Sequence, residues 1–269
     1  MEELKEKGIR AIVDASIKNF VEGFEFRHLS EKENPEGTIN MKKNNCFIAE
    51  LGDEFVFYSA FVRSFDSSFG KVLENIGNQI ASFSYKTEKQ IVSFITTEQQ
   101  QHISTLLNTY ETDKREPTTD DYIKYLTILP KNIESFRKTH QCDNWFYDEI
   151  TKTHYLCELK AGGDLDNKKA KSEKLALLTE YFMLKNIMKT GETIKIYFAT
   201  AYNRFGEGAK WKQPNVQTFF ADQELLIGKE YWNFVCNDKK GFDIVFDQYK
   251  KSANLIKNAL INIRDTYGI

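Results

Sequence analysis

Near the middle of the chain an acidic residue, a hairpin-like stretch and a Glu-x-Lys sequence follow one another: Asp143-Asn-Trp-Phe-Tyr-Asp148, a turn near Ile150-Thr-Lys, then Tyr155-Leu-Cys-Glu158-Leu-Lys160. Two carboxylates a few ångströms apart raise one another's pKa unless a cation lies between them, and a hard, oxygen-ligated ion such as Mg²⁺ suits that gap. Such an ion polarises a phosphate and lowers the pKa of a bound water. A neighbouring lysine orients that water or offsets charge in the pentacovalent transition state. The chemistry implied is hydrolysis of a phosphodiester.

Hairpin geometry separates the two aspartates that could partner Glu158. If Trp145 to Tyr147 pairs antiparallel with Tyr155 to Cys157, Asp143 faces Glu158, and cross-strand Cβ atoms in such a pair are ~5 Å apart. Asp148 then faces Thr153 beside the turn, five positions and roughly 16 Å along the strand from Asp143. Alternation puts Glu158 and Lys160 on one face and Cys157 and Leu159 on the other, towards the core. The backbone carbonyl of Leu159 is a further candidate oxygen ligand, so the metal-ligating set is Asp143, Glu158 and Leu159. The same letters would suit an exposed hairpin of alternating charge. Catalysis is favoured because the strand is otherwise apolar and is followed by a Gly-Gly turn, a basic helix and another strand.

The elements that must position these residues can be read on either side. Leu4, Ile9, Ile12, Val13, Ile17, Phe20 and Val21 predict a helix from about Glu3 to Glu22, and the polar stretch from Ser30 to Thr38 a loop. Phe55 to Val62 reads as too apolar for exposure, and Asp66 or Ser67 as the N-cap of a helix carrying Val72, Ile76 and Ile80. A helical pattern runs from Thr87 to Asn108, and Glu111 to Asp121 is a polar linker. Asn167 to about Met188 reads as a helix and Thr193 to Tyr202 as a strand, so strand, helix and strand form a parallel crossover. Asp222 to about Phe234 and Phe242 to Arg264 read as helices.

At 269 residues the chain can bury a sizeable core. A hydrophobic fraction of 41%, a charged fraction of 28% and 14% aromatics indicate a folded, aromatic-rich protein. The charged N-terminus and the lack of an apolar run of ~18 residues mark neither export nor membrane insertion, which leads us to expect a cytoplasmic protein with no membrane partner. The four cysteines and four histidines show no zinc or disulfide spacing, so reduced thiols are expected. Net charge is −2, yet residues 185 to 212 carry six bases against two acids. Such a strip engages phosphates because binding depends on charge at the interface, although a solvated basic face has the same composition.

With those residues in hand, the chain resembles the PD-(D/E)xK nucleases, and more narrowly the type II restriction endonucleases of the TdeIII family. The resemblance rests on Asp143-Asn-Trp-Phe-Tyr-Asp, on Glu-Leu-Lys-Ala-Gly-Gly-Asp-Leu-Asp-Asn-Lys-Lys-Ala from Glu158 to Ala170, and on Tyr-Asn-Arg-Phe-Gly-Glu-Gly-Ala-Lys-Trp from Tyr202 to Trp211. It extends from about Arg63 to Phe234. One departure is Cys142, where the motif's name has proline. The resemblance implies an α/β restriction-endonuclease-like fold, a central mixed sheet flanked by helices. We expect one endonuclease domain over 1–269, with helical elaborations at about 1–130 and 222–269.

The resemblance further implies a homodimer that cuts double-stranded DNA with Mg²⁺ at a short palindrome, GGNCC in that family. A cognate DNA methyltransferase is the expected genetic partner. A structure-specific or repair nuclease, or an inactive DNA-binding relative, is the alternative. The catalytic set is Asp143, Glu158 and Lys160, with Glu74 as a fourth acid because related nucleases bring a helix glutamate to the metal; a solvent-facing helix residue is the other reading. Asp166 or Asn167 can cap the helix after the catalytic strand, while Lys168 and Lys169 are candidate phosphate contacts. Asn203, Arg204, Lys210, Lys212 and Gln213 lie in a Gly-rich loop whose residue types can read bases in a groove.

Overall fold

A computed structural model of the chain describes residues 1–126 and 137–269. The expected N-terminal elaboration ends at about 130, outside the described residues. The order of elements is α1 (Glu3–Ser30), a 3-10 turn (Asn40–Asn44), α2 (Cys46–Ala49), α3 (Asp53–Ala81), β1 (Lys86–Ser93), α4 (Thr97–Thr112) and α5 (Asp120–Ile123). Then come β2 (Lys138–Asp148), β3 (Thr153–Lys160), α6 (Asn167–Lys185), β4 (Thr193–Thr200), α7 (Pro214–Gln217), β5 (Leu225–Ile227), α8 (Lys229–Val235) and α9 (Gly241–Thr266). The chain divides into two compact units, Met1–Ile80 with Asp243–Ile269, and Ala81–Phe242. Among the described residues no helix is long and apolar enough to cross a membrane.

In the first unit, α1 outruns its expected end because Phe24 and His28 prolong the buried stripe of Ile9, Val13, Ile17 and Phe20. Phe55 to Val62 is not a separate apolar element. It is the first half of α3, a single helix that starts at Asp53 and needs no cap at Asp66 or Ser67. Val56, Phe57, Ala60 and Phe61 are buried while Phe55 and Val62 are half exposed, as the two faces of an amphipathic helix demand. Phe20, Phe24, Phe57, Phe61 and Ile263 form this unit's core.

The second unit is an α/β layer arrangement on a five-stranded mixed sheet in the order β1-β2-β3-β4-β5. β1, β2 and β3 pair antiparallel, whereas β3 with β4 and β4 with β5 are parallel. The crossover between β3 and β4 carries α6, as the sequence pattern requires. Thr87 to Ser93, expected within a helix, belong instead to edge strand β1. Only Ile91 and Ser93 of it are buried, so its alternation is weak, and pairing with β2 decides its conformation. Leu225–Ile227, also expected in a helix, extends the sheet beside Phe198–Thr200.

One face of the sheet packs on α6 through Ile91, Cys142, Leu156, Ile196 and Phe198 with Leu177, Leu178 and Phe182. The other carries aromatic rings: Phe146 and Tyr155 meet Tyr85 and Phe234 at centroid separations of 5.0–6.2 Å, and Tyr197 lies 5.7 Å from Phe234. Cys142, Cys157 and Cys236 are buried free thiols and Cys46 an exposed one.

Candidate active site

The β2–β3 hairpin positions the acidic pair. Asn144 pairs with Cys157, Trp145 with Leu156, Phe146 with Tyr155 and Asp148 with Thr153, the register that brings Asp143 opposite Glu158. Asp148 is a turn residue: its carboxylate accepts the Ile150 amide at 2.9 Å and the Thr151 hydroxyl at 2.8 Å. On its other edge β2 is irregular. Trp145 faces Glu88 but Gln141 faces Gln90, so β2 runs through four residues where β1 uses two. Cys142, Asp143 and Asn144 fall outside the pairing register with β1. Such bulges re-aim side chains beside active sites. Here Cys142 and Asn144 are buried and Asp143 between them is exposed.

Glu158 is buried and Lys160 half-buried on the α6 side of β3, and the Lys160 ammonium donates to the Glu158 carboxylate. Leu159 points the opposite way and is also buried. Two acids on α6, which the sequence reading passed over, complete the surroundings. Glu173 Oε1 lies 3.1 Å from Lys160 Nζ. One helical repeat on, the buried Glu180 lies 3.1 Å from His140 Nε2. Their spacing of seven, in register with the buried Ala170, Lys174 and Leu177, was the available signal.

Charge and burial pull against each other here. Burial pushes the Glu158 carboxyl up, Lys160 draws it back, and Asp143 and Glu173 push it up again, to about 8. Burial and then Asp143 lift Glu180 to about 8 as well. Burial would lower the Lys160 ammonium, but Glu158 and Glu173 outweigh it and hold it above the usual lysine value. A buried carboxylate whose ionisation is opposed by two further acids fits a hard cation, which would relieve that repulsion. Among the described residues no three His, Cys, Asp or Glu side chains converge on one point.

Around this centre α6 is capped by Asp166, whose side chain accepts from the Lys169 amide at 2.8 Å; Lys168 and Lys169 are exposed. The Gly-rich loop after β4 folds back on the segment leaving β3. The Asn215 side chain donates to the Leu165 carbonyl at 2.9 Å, Gln213 donates to Asp164 at 2.9 Å, and Arg204 forms an ion pair with the same Asp164. A Cβ on Gly162 would run into the Tyr202 ring, and one on Gly163 (φ +67°) would come within 2.6 Å of Thr200. The two glycines are thus the floor of this loop. Asn203 and Gln213 are buried, and Asn203 donates to the Ala209 carbonyl at 2.7 Å. Arg204, Lys210 and Lys212 are exposed.

The basic run is not one patch. Lys185 caps the carbonyls of Ile123 and Tyr125, and β4, roughly 26 Å long at about 3.3 Å per residue, stands between Lys189 and Arg204. Trp211 and Trp232 are buried. His154 pairs with Glu192 at 3.3 Å, at the end of β3 away from Glu158 and Lys160. Glu74 stands half-buried on α3, in the first unit, whereas Asp143, Glu158 and Lys160 stand in the second.

The family model that matches the chain is that of the type II restriction endonuclease HinfI, over residues 5–253. No curated protein and no solved structure matches significantly. The match is broader than the sequence resemblance in one respect and different in another: it spans nearly the whole chain, and it names HinfI, so membership in the TdeIII group does not follow from it. The mixed sheet with helices on its faces is compatible with a restriction-endonuclease-like fold. The chain belongs to the HinfI family of type II restriction endonucleases, site-specific deoxyribonucleases that act on DNA.

Proposed function

We propose that the chain cleaves both strands of duplex DNA at a short palindrome, using Mg²⁺, Asp143, Glu158 and Lys160. The observation that supports this best is Lys160 held between Glu173 and Glu158, the latter a buried carboxylate that resists ionisation. Asp143, Glu158 and the Leu159 carbonyl are the groups that would hold the cation, which when bound polarises the scissile phosphate and acidifies a water. Lys160, kept cationic by its two acids, orients that water or faces the charge that develops on phosphorus. Glu173 fixes the ammonium in place. Burial of Leu156, Phe198 and Leu177 beneath the site keeps its dielectric low, so these charges act strongly.

Lys168, Lys169, Arg204, Lys210 and Lys212 meet the DNA, with Arg204 suited to guanine. Asn203, engaged inside its own loop, and Gln213, engaged with Asp164, support it. The active species is a cytoplasmic homodimer whose two-fold axis mirrors the palindrome, with a cognate methyltransferase protecting host DNA. GGNCC is the target that the TdeIII resemblance implies, and Glu74 the fourth acid it implies.

Sequencing the ends of plasmid fragments made with Mg²⁺ tests the reading. Fragments with a common palindrome, 5′-phosphates and 3′-hydroxyls are expected. A palindrome other than GGNCC would set aside the TdeIII target and keep the activity, while cutting only at junctions or ends would replace restriction by repair.

A further inference from the structure

A second cationic site lies in the first unit, on elements the catalytic reading does not use. α1 and α3 enclose a pocket of about 350 Å³ lined by Arg27, Thr38, Lys42, Arg63, Ser64, Ser67 and Ser68 around Ala60. Its lining holds three bases, four hydroxyls and no carboxylate. The α3 residues stand at helical spacing, 60, 63, 64, 67 and 68, so they form one face. A shallower cleft lined by Asn19, Gly23, Arg27 and Ser68 continues it along α1.

Arg27 is the centre. Its Nη2 donates to Ser64 Oγ at 2.8 Å and Ser68 Oγ at 3.3 Å, neutral partners both. Its Nε is buried with no hydrogen-bond partner among the described residues. Among them no carboxylate forms an ion pair with Arg27, Lys42 or Arg63. Glu31, whose carboxyl the Arg27 charge helps hold down, accepts from the Thr38 amide at 2.8 Å. Behind Arg27, His28 meets Ser64 Oγ at 3.1 Å. A guanidinium half out of water that lacks an anion, with hydroxyl donors converging beside it, is a site short of an acceptor.

We propose that this pocket seats a backbone phosphate of the duplex DNA substrate. The proposal rests on DNA being the substrate. A tetrahedral oxyanion accepts from Arg27, Arg63, Lys42 and the serine hydroxyls together, and the shallower cleft gives the flanking backbone room to leave along α1. A contact of this kind carries no sequence information, so it strengthens binding to all duplexes alike.

The test is duplex binding by fluorescence anisotropy in Ca²⁺, over a range of salt, for the full chain and for the variant Lys42→Ala with Arg63→Ala. Both residues line the pocket, Lys42 half-buried and Arg63 exposed, and the thermal midpoint checks that the variant is folded. We expect affinity for target and non-target duplexes to fall together by about 10-fold, with the slope of log K against log salt smaller by about 1 to 2. Unchanged affinity and slope overturn the proposal while leaving cleavage by the wild type, and hence the endonuclease reading, intact. Loss confined to the target duplex also overturns it, since that marks base reading. If inorganic phosphate raises the thermal midpoint of the wild type alone while DNA binding is equal in the two proteins, the pocket takes free phosphate and the DNA assignment falls. A wild type that neither binds nor cuts any duplex removes both readings.

Discussion

Helix α6 enters two lysine–carboxylate clusters through adjacent residues. Glu173 meets Lys160 at 3.1 Å, where Lys160 also serves Glu158. Lys174, fully buried, meets both oxygens of Glu224 at 2.6 Å. The second cluster is saturated: Glu224 also accepts from the Tyr122 hydroxyl at 2.7 Å and the Ala221 amide at 2.8 Å, and the Lys174 ammonium lies over the Tyr122 and Phe220 rings. Burial depresses Lys174 below the ordinary lysine value despite Glu224, but each Glu224 oxygen accepts two hydrogen bonds, so the pair acts as structure. The first cluster is unbalanced: Glu158 and Glu173 share one half-buried ammonium, and Asp143 adds a further negative charge beside Glu158. A charged site becomes reactive when its charges are left for a substrate to complete, and merely holds the fold when they are not.

The contrast can be broken at either end. Lys160→Ala should lower Mg²⁺-dependent cleavage of unmethylated plasmid by about 10³-fold or more while DNA binding in Ca²⁺ persists; cutting at the wild-type rate would remove Lys160 from the chemistry. Lys174→Met should instead leave an uncompensated buried carboxylate and cost about 3–5 kcal/mol of stability in a denaturant titration. Adding Glu224→Leu should recover much of that loss, and no recovery would mean the pair does more than satisfy itself. Glu173→Gln should lower kcat about 10-fold with little change in KM, the size of a lost charged hydrogen bond. In a Lys160→Ala background it should have no further effect, whereas an independent loss there would give Glu173 its own role.

The smallest expected effect is in pH dependence of the metal-free protein. Glu158 and Glu180 both rise from 4.5 to about 8 in the folded chain, so the folded state keeps protons that the unfolded chain releases. Their contribution is complete below about pH 4.5 and is lost as pH rises through about 8. In EDTA, stability should fall with rising pH across that window. Between pH 6 and 7 the fall should shrink by about 1 kcal/mol in Glu158→Gln, and equally in Glu180→Gln. A slope indifferent to both substitutions would show that neither carboxyl is protonated in the fold.

Much of the site was legible before any coordinates. The Asp143–Glu158 register follows from one turn and period-2 alternation, and both survive because one face of the hairpin is buried and a slip would invert it. The exposure of Arg204, Lys210 and Lys212 was legible too. The burial of Asn203 and Gln213 was not, since a polar side chain's letter does not say whether it meets solvent or its own loop. β1 escaped because a mostly exposed edge strand leaves little hydrophobic pattern. Glu173 and Glu180 escaped because a polar residue on a helix reads as solvated until a partner element is known.

The sequence by itself determined the local matters: the hairpin, the crossover, the facing of Glu158 and Lys160 on one side of a strand, and a cap within the Asp166-Asn167 pair; its long motifs pointed to a type II restriction endonuclease. These depend on dihedral preference and short-range spacing, which the order of residues specifies. Tertiary structure alone decided which acids of α6 meet Lys160, that Gly162 and Gly163 floor the loop after β4, and that Arg27 faces hydroxyls rather than a carboxylate. Those outcomes depend on which distant elements are packed together, and so on burial and Coulomb interactions between residues far apart in the chain.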